Sequence, residues 1–145
     1  MKPMYIDRLV GTTAVLAVIA VAIVCAAFGL LLQIPPAVLL GVACILAVAA
    51  VVIAVLTVEV HEDRVCWYFT FGIFRRCVPF SEIREVRAVT TTPFGWGYRI
   101  DGNGKAWVAS GKHFLLITTI SGERLFVNVR DPDRVLAEIE RRKAS

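Results

Sequence analysis

The chain has 145 residues, of which 57% are apolar and 19% charged, with a net charge of +4. Soluble domains carry about 45–50% apolar and about 25% charged residues, so disorder is excluded and an ordinary soluble domain fits poorly. With 16 basic against 12 acidic residues, the charge balance is also too mild for a nucleic-acid footprint.

From Leu9 to Val58 no Asp, Glu, Lys or Arg occurs, a run of 50 residues. Crossing about 30 Å of hydrocarbon takes roughly 20 apolar residues. The run therefore predicts a two-helix transmembrane anchor over residues 1–58, with spans at about 9–32 and 37–58 and Gln33-Ile34-Pro35-Pro36 turning between them. Two consecutive prolines suit the start of a new helix better than the interior of an old one. Inside lipid all backbone polar groups must pair within the segment, which makes both spans helices despite their Val and Ile content. Ala22, Ala26 and Gly29 share one face of the first span, and Ala43, Ala47, Ala50 and Ala54 one face of the second, so the backbones can approach closely. Neither span holds an ionisable group, so the pair reads as an anchor and not as a transport pathway. Lys2 and Arg8 precede it, Arg64, Arg75 and Arg76 follow it, and the turn has no positive charge; both termini are then expected in the cytoplasm, in a multi-pass inner-membrane protein. A cleaved signal peptide fits less well: its apolar core is about 7–15 residues, and Val24 before Cys25 is bulky for a cleavage site.

Residues 59–145 mix charges with short alternating apolar runs, the pattern of a small, mainly antiparallel β domain. Val65–Phe71 and Phe74–Phe80 predict a hairpin around Gly72, and Arg84–Thr92 a further strand. A Gly-rich stretch, Pro93–Ile100, leads through the turn Asp101-Gly102-Asn103-Gly104 into a strand at Lys105–Ala109. Lys112–Ile120 and Glu123–Arg130 predict a hairpin with a two-residue turn at Ser121-Gly122. The last element is a helix over residues 132–143: Asp131 caps it, Pro132 fits its first turn, and Arg141, Arg142 and Lys143 suit its C-terminal end. Its stripe of Val135, Leu136 and Ile139 needs a sheet to pack against. The expected fold is an N-terminal α-hairpin followed by a partly open β barrel or sandwich capped by a C-terminal helix.

Catalytic and metal chemistry find little support. His61 and His113 read as strand or surface residues, and Cys25, Cys44, Cys66 and Cys77 lack zinc-ligand spacing. Cys66 and Cys77 would face each other if the chain turned at Phe71-Gly72, although a cytoplasmic domain is expected to keep them as thiols. Asp101–Lys105 begins like a calcium loop but has Lys105 and Lys112 where acidic ligands are required. No enzyme activity, metal or cofactor is expected.

Five segments carry a resemblance: Cys77-Val78-Pro79-Phe80-Ser81-Glu82-Ile83-Arg84-Glu85-Val86, Phe94-Gly95-Trp96-Gly97-Tyr98-Arg99, Ser110-Gly111, Ser121-Gly122-Glu123-Arg124 and Asp131-Pro132-Asp133-Arg134-Val135-Leu136. In this order, behind two apolar spans, the chain resembles bacterial membrane proteins with a pleckstrin-homology-like (PH-like) domain. The resemblance implies a PH-like sandwich held at a bilayer by the helical anchor.

Binding is the expected role, and three surfaces compete for it. With the two-residue turn, Leu116 pairs with Val127 and Phe114 with Val129, leaving Leu115, Ile117 and Phe126 together on a second apolar face, either barrel interior or a patch for a partner. Phe94, Trp96 and Tyr98, set among glycines, form either a recognition loop, a membrane-surface belt or a plug for the barrel end. These six residues would serve protein association, through a homo-oligomer or another membrane protein. The alternative is anionic lipid or a small ligand bound through Arg75, Arg76, Arg84 and Arg87.

Overall fold

The structure is a computed structural model and describes residues 4–91, 96–102 and 104–144. It contains an N-terminal helix pair, two mainly antiparallel sheets and a C-terminal helix. The elements are β1 (Tyr5–Val10), α1 (Thr12–Leu31), α2 (Pro36–Ile53), β2 (Val55–Val60), β3 (Arg64–Phe69), β4 (Ile73–Pro79), β5 (Ile83–Thr90), β6 (Gly97–Asp101), β7 (Gly104–Val108), β8 (His113–Thr119), β9 (Arg124–Asn128) and α3 (Pro132–Lys143).

Both ends of the apolar run differ from expectation. The chain before α1 is not a flank but a strand, with Tyr5 opposite Val60 and Val10 opposite Val55. The second helix stops at Ile53, and Val55–Val60 is strand. A short apolar run does not separate helix from strand by periodicity, and Val55, Thr57, Val58 and Val60 are β-branched residues that suit a pleated surface. The two strands leave the helix pair side by side and antiparallel, so each satisfies the other's backbone where the helical bonds end. Only Gly11 and Ala54 intervene, and the Gly11 amide donates to the Ala54 carbonyl at 2.6 Å. The helices are thus joined to the sheet without a linker.

At 1.5 Å per residue, the 20 residues of α1 and the 18 of α2 extend about 30 and 27 Å. One helix, Pro36–Ile53, is long and apolar enough to cross a membrane; the apolar stretch in α1, Val15–Leu31, is shorter. Large apolar side chains stand exposed along both, among them Leu16, Ile23 and Leu31 on α1 and Leu40, Ile45 and Val51 on α2. Helices apolar on every face need either a protein interior or lipid around them. They pack on each other, and a methyl group on Gly29 would collide with the Leu39 side chain, so glycine permits the close approach there.

The strands form a four-stranded sheet, β1-β2-β3-β4, and a five-stranded sheet, β5-β8-β9-β7-β6, in which β7 and β9 run parallel. Alternation along β2 and β3 sends Leu56, Val58, Val60, Val65, Trp67 and Phe69 inward to meet Leu115, Ile117, Leu125 and Val127 of the second sheet. At the centre Trp67 meets Trp107 edge to face, with ring centroids 5.3 Å apart. Helix α3 lies against β1, β2, β5 and β8 and buries Val135 and Ile139. Its start is as expected: the Asp131 carboxylate accepts from the Arg134 amide at 3.2 Å, with Pro132 in the first turn.

The β8–β9 hairpin has a different register from the expected one. Leu116 faces Phe126, not Val127, and Phe114 faces Asn128, not Val129. The loop is three residues, Ile120-Ser121-Gly122: the Thr119 amide donates to the Glu123 carbonyl at 3.0 Å, and Gly122, at φ +85°, takes the left-handed position that such loops place last. One residue of slip moves every side chain of a strand to the other face. Phe126 therefore lies away from Leu115 and Ile117.

Candidate functional site

The slip decides the fate of the expected partner surface. Leu115 and Ile117 are both 0% exposed, packed between the sheets, and offer nothing to a partner. Phe126 is half-buried on the outer side of the five-stranded sheet, beside Leu116. Phe94 lies outside the described residues. Trp96 and Tyr98 share a segment but not an environment: Trp96 is exposed, whereas Tyr98 begins the β6 side of an aromatic cluster.

The expected arginine group divides in two. Arg84 and Arg87 stand exposed on β5, the outer strand of the five-stranded sheet, where Arg87 pairs with Glu85 at 2.5 Å. Arg75 and Arg76 lie on β4, the outer strand of the other sheet, and adjoin β6 and β7. Strand neighbours in sequence separate because β4 and β5 belong to different sheets.

Arg75 and Arg76 acquire partners that sequence order does not indicate. With Phe74, Tyr98, Lys105 and Trp107 they line an open cavity of about 220 Å³. Phe74 and Tyr98 stack with centroids 5.0 Å apart, and Tyr98 meets Trp107 at 4.9 Å. The Trp107 indole donates to the Phe74 carbonyl at 2.9 Å, which ties β7 to the start of β4 and fixes the aromatic wall. The Arg75 guanidinium lies over the Tyr68 ring at 5.7 Å.

Glu123, just after the β8–β9 loop, pairs with two of the cations that line the cavity. Its carboxylate takes Lys105 at 2.5 Å and Arg76 at 3.0 Å, and these cations, Lys105 first, hold its carboxyl below the usual range. Three cations against one carboxylate leave the cavity positive. An aromatic wall plus fixed guanidinium and ammonium donors can bind an anionic group and, against the rings, the apolar or planar part attached to it. Lys105, Trp107, Phe74 and Glu123 escaped the sequence reading; the available signal was the clustering of Phe71, Phe74, Arg75 and Arg76 around one turn.

A second basic groove, lined by Tyr5, Asp7, Arg8, Arg130 and Arg134, runs between β1 and α3. Its acids are engaged with backbone: Asp7 accepts from the Arg130 amide at 2.8 Å, and Asp131 caps α3.

The cysteines and His61 correct two further expectations, whereas His113 is the exposed first residue of β8, as expected. Cys66 and Cys77 face each other across β3 and β4 and are joined as a disulfide, with Cα atoms 4.1 Å apart, instead of standing as thiols. His61 is buried with its Nε2 3.4 Å from Glu59, while the Tyr68 hydroxyl donates to Glu59 at 2.8 Å. Among the described residues no cluster of His, Cys, Asp and Glu is arranged to hold a metal. Comparison of the chain with family models, curated proteins and solved structures finds no match.

Proposed function

We propose that the protein is a membrane-anchored, non-enzymatic, PH-like module that binds an anionic lipid headgroup or small anion. The observation that carries this reading is the convergence of Arg75, Arg76 and Lys105 on the aromatic wall of Phe74, Tyr98 and Trp107. Large apolar side chains exposed along both helices, with α2 long and apolar enough to cross by itself, support two membrane spans. Two packed sheets closed by a C-terminal helix support the PH-like reading. The binding role passes from the expected partner surface to the basic one because Leu115 and Ile117 are enclosed.

Two features bear on the side of the membrane, and they pull apart. Positive charges flank the helix pair and are missing from its turn, which supports a cytoplasmic β domain. A disulfide favours an oxidising compartment. We assign the cytoplasmic side on the charge pattern; Cys66–Cys77 is then a bond that cellular reductants open.

Native mass spectrometry of the full chain in detergent micelles tests the binding role. Phosphatidylglycerol adducts are expected to exceed phosphatidylcholine adducts, to weaken with salt, and to be lost in an Arg75→Glu, Lys105→Glu variant. Equal adducts of the two lipids, unaffected by that variant, overturn it.

A further inference from the structure

Among the described residues, three large aromatic side chains on the end of the sandwich nearest α2 are uncovered by protein: Phe71 is 82% exposed, Phe74 52% and Trp96 48%. They come from separate parts of the chain: Phe71 from the β3–β4 connection, Phe74 from the start of β4 and Trp96 from the segment before β6. Phe71 belongs to a single 3-10 turn, Thr70–Gly72, that contacts α2. Trp96 precedes Gly97, where an added methyl group would meet the side chain of Ile53, the last residue of α2, at ordinary contact distance. The strand register agrees, because Leu56 just after α2 pairs with Phe69 just before the turn.

The backbone is strained in order to hold two of these rings. Phe71 has φ +61° and Phe74 φ +53°, the left-handed region that a residue with a bulky side chain seldom adopts. Such residues are costly to the fold and tend to occur where a site requires them. Strain that keeps Phe71 out of the core, beside a core that already takes Trp67 and Phe69, calls for an external contact.

We infer that Phe71, Phe74 and Trp96 form a rim that sits in the interfacial layer of the bilayer into which α2 passes. The occupant follows from continuity. Only Ala54 separates α2 from β2 and only Gly11 separates β1 from α1, so the sandwich cannot swing away from the helix ends. The rim lies at that end, at the level where hydrocarbon gives way to headgroups and where aromatic side chains are favoured. Arg75 follows Phe74 directly, so seating the rim places the basic cavity beside anionic headgroups.

The inference rests on α2 crossing the bilayer, and the experiment separates the two. The full chain is reconstituted in vesicles of phosphatidylcholine and phosphatidylglycerol, unbrominated or carrying bromine either on the acyl carbons nearest the headgroup, which read the rim, or near the acyl termini, which read the middle of α2, and tryptophan quenching is measured. Trp67 and Trp107, 0% and 3% exposed, give a constant background. Ile45→Trp, exposed in the middle of α2, reports the span, and Ile120→Trp, exposed on the β8–β9 loop, reports the opposite end of the domain. Expected are added quenching in Phe71→Trp, loss of quenching in Trp96→Phe, and none from Ile120→Trp. If Ile45→Trp is quenched while Phe71→Trp and Trp96 behave like Ile120→Trp, the rim is overturned and the span survives. If Ile45→Trp is itself unquenched by the deep bromines, the span fails and the rim with it.

Discussion

The helix pair and the sandwich are built from similar side chains and treat them in opposite ways. Val, Ile, Leu and Ala dominate both, yet Leu30 and Leu31 at the end of α1 are 77% exposed while Leu115, Ile117 and Leu125 are fully enclosed. The difference lies in what stands between the apolar residues. In β2 and β3, Thr57, Glu59, Arg64 and Tyr68 alternate with Leu56, Val58, Val65 and Trp67, so each strand has an inner and an outer face. In α1 and α2 nothing polar alternates, no side chain caps either helix, and neither helix carries an acidic residue in its first turn or a basic one in its last. A segment with no water-facing side has no aqueous solution to its burial problem and needs either lipid or a protein interior around it.

Substitutions sharpen that contrast. Trp67→Ala removes the centre of the sandwich core and is expected to cost about 3–5 kcal/mol in denaturant titrations of the detergent-solubilised chain, whereas Leu40→Ala, exposed on α2, leaves the sandwich transition where it was. Equal effects would mean that the helices belong to the same core.

Opening the Cys66–Cys77 disulfide, whose ends lie 11 residues apart, is expected to lower sandwich stability by about 3 kcal/mol, read as a reductant-dependent shift in the same titration. Cys25 and Cys44, free on the helices, would contribute nothing to the shift. Labelling of Cys66 and Cys77 as free thiols in intact cells, in a chain carrying Cys25→Ala and Cys44→Ala and denatured in the presence of the label before any reductant is added, then decides which compartment holds the β domain.

Asn128→Ala should follow, at about 1–3 kcal/mol for buried groups left unpaired. The Asn128 side chain accepts from the amides of Ala109 and Ser110 at 3.1 and 2.7 Å and donates to the His113 carbonyl at 2.7 Å. It thereby holds the segment after β7 against the start of β8, next to Gly11, where a methyl group would press on the Ala109 carbonyl. Asn128→Asp retains the acceptor but not the donor and is expected to recover part of the loss.

The smallest effect on stability belongs to Glu123→Gln, since half-exposed ion pairs contribute about 0.2–1 kcal/mol. Its effect on binding is the reverse: with Arg76 and Lys105 released, phosphatidylglycerol adducts should increase. The Glu123 carboxyl titrates lower in the folded chain than its ordinary value of 4.5, because Lys105 and Arg76 favour its charged form. It therefore stabilises the fold above the unfolded value, and that contribution disappears as the pH falls through the lower, folded value. A pH titration of stability between wild type and Glu123→Gln should converge on the acid side and separate toward neutrality.

Much of this architecture was legible in residue order. The charge-free run, its proline-marked turn, the Gly72 hairpin and the Asp131-capped helix each depend on local chemistry, and α3 occupies the expected residues 132–143. Where local signals ran out, the reading failed for identifiable reasons. Hydropathy alone extended the helices to Leu9 and Val58, because Val55–Val58 is equally apolar as helix or strand. Ser121-Gly122 served a three-residue loop as readily as a two-residue one, and that single residue moved Phe126 off the face of Leu115 and Ile117.

Sequence by itself determined the division of the chain, since whether a segment can turn a polar side to water depends only on its own residues. Tertiary structure alone decided the cavity. Arg75 and Arg76 met Lys105, Tyr98 and Trp107, and parted from Arg84 and Arg87, because β4 borders one sheet and β5 the other. Such proximity follows from pairing between distant strands, a property that no stretch of neighbouring residues contains.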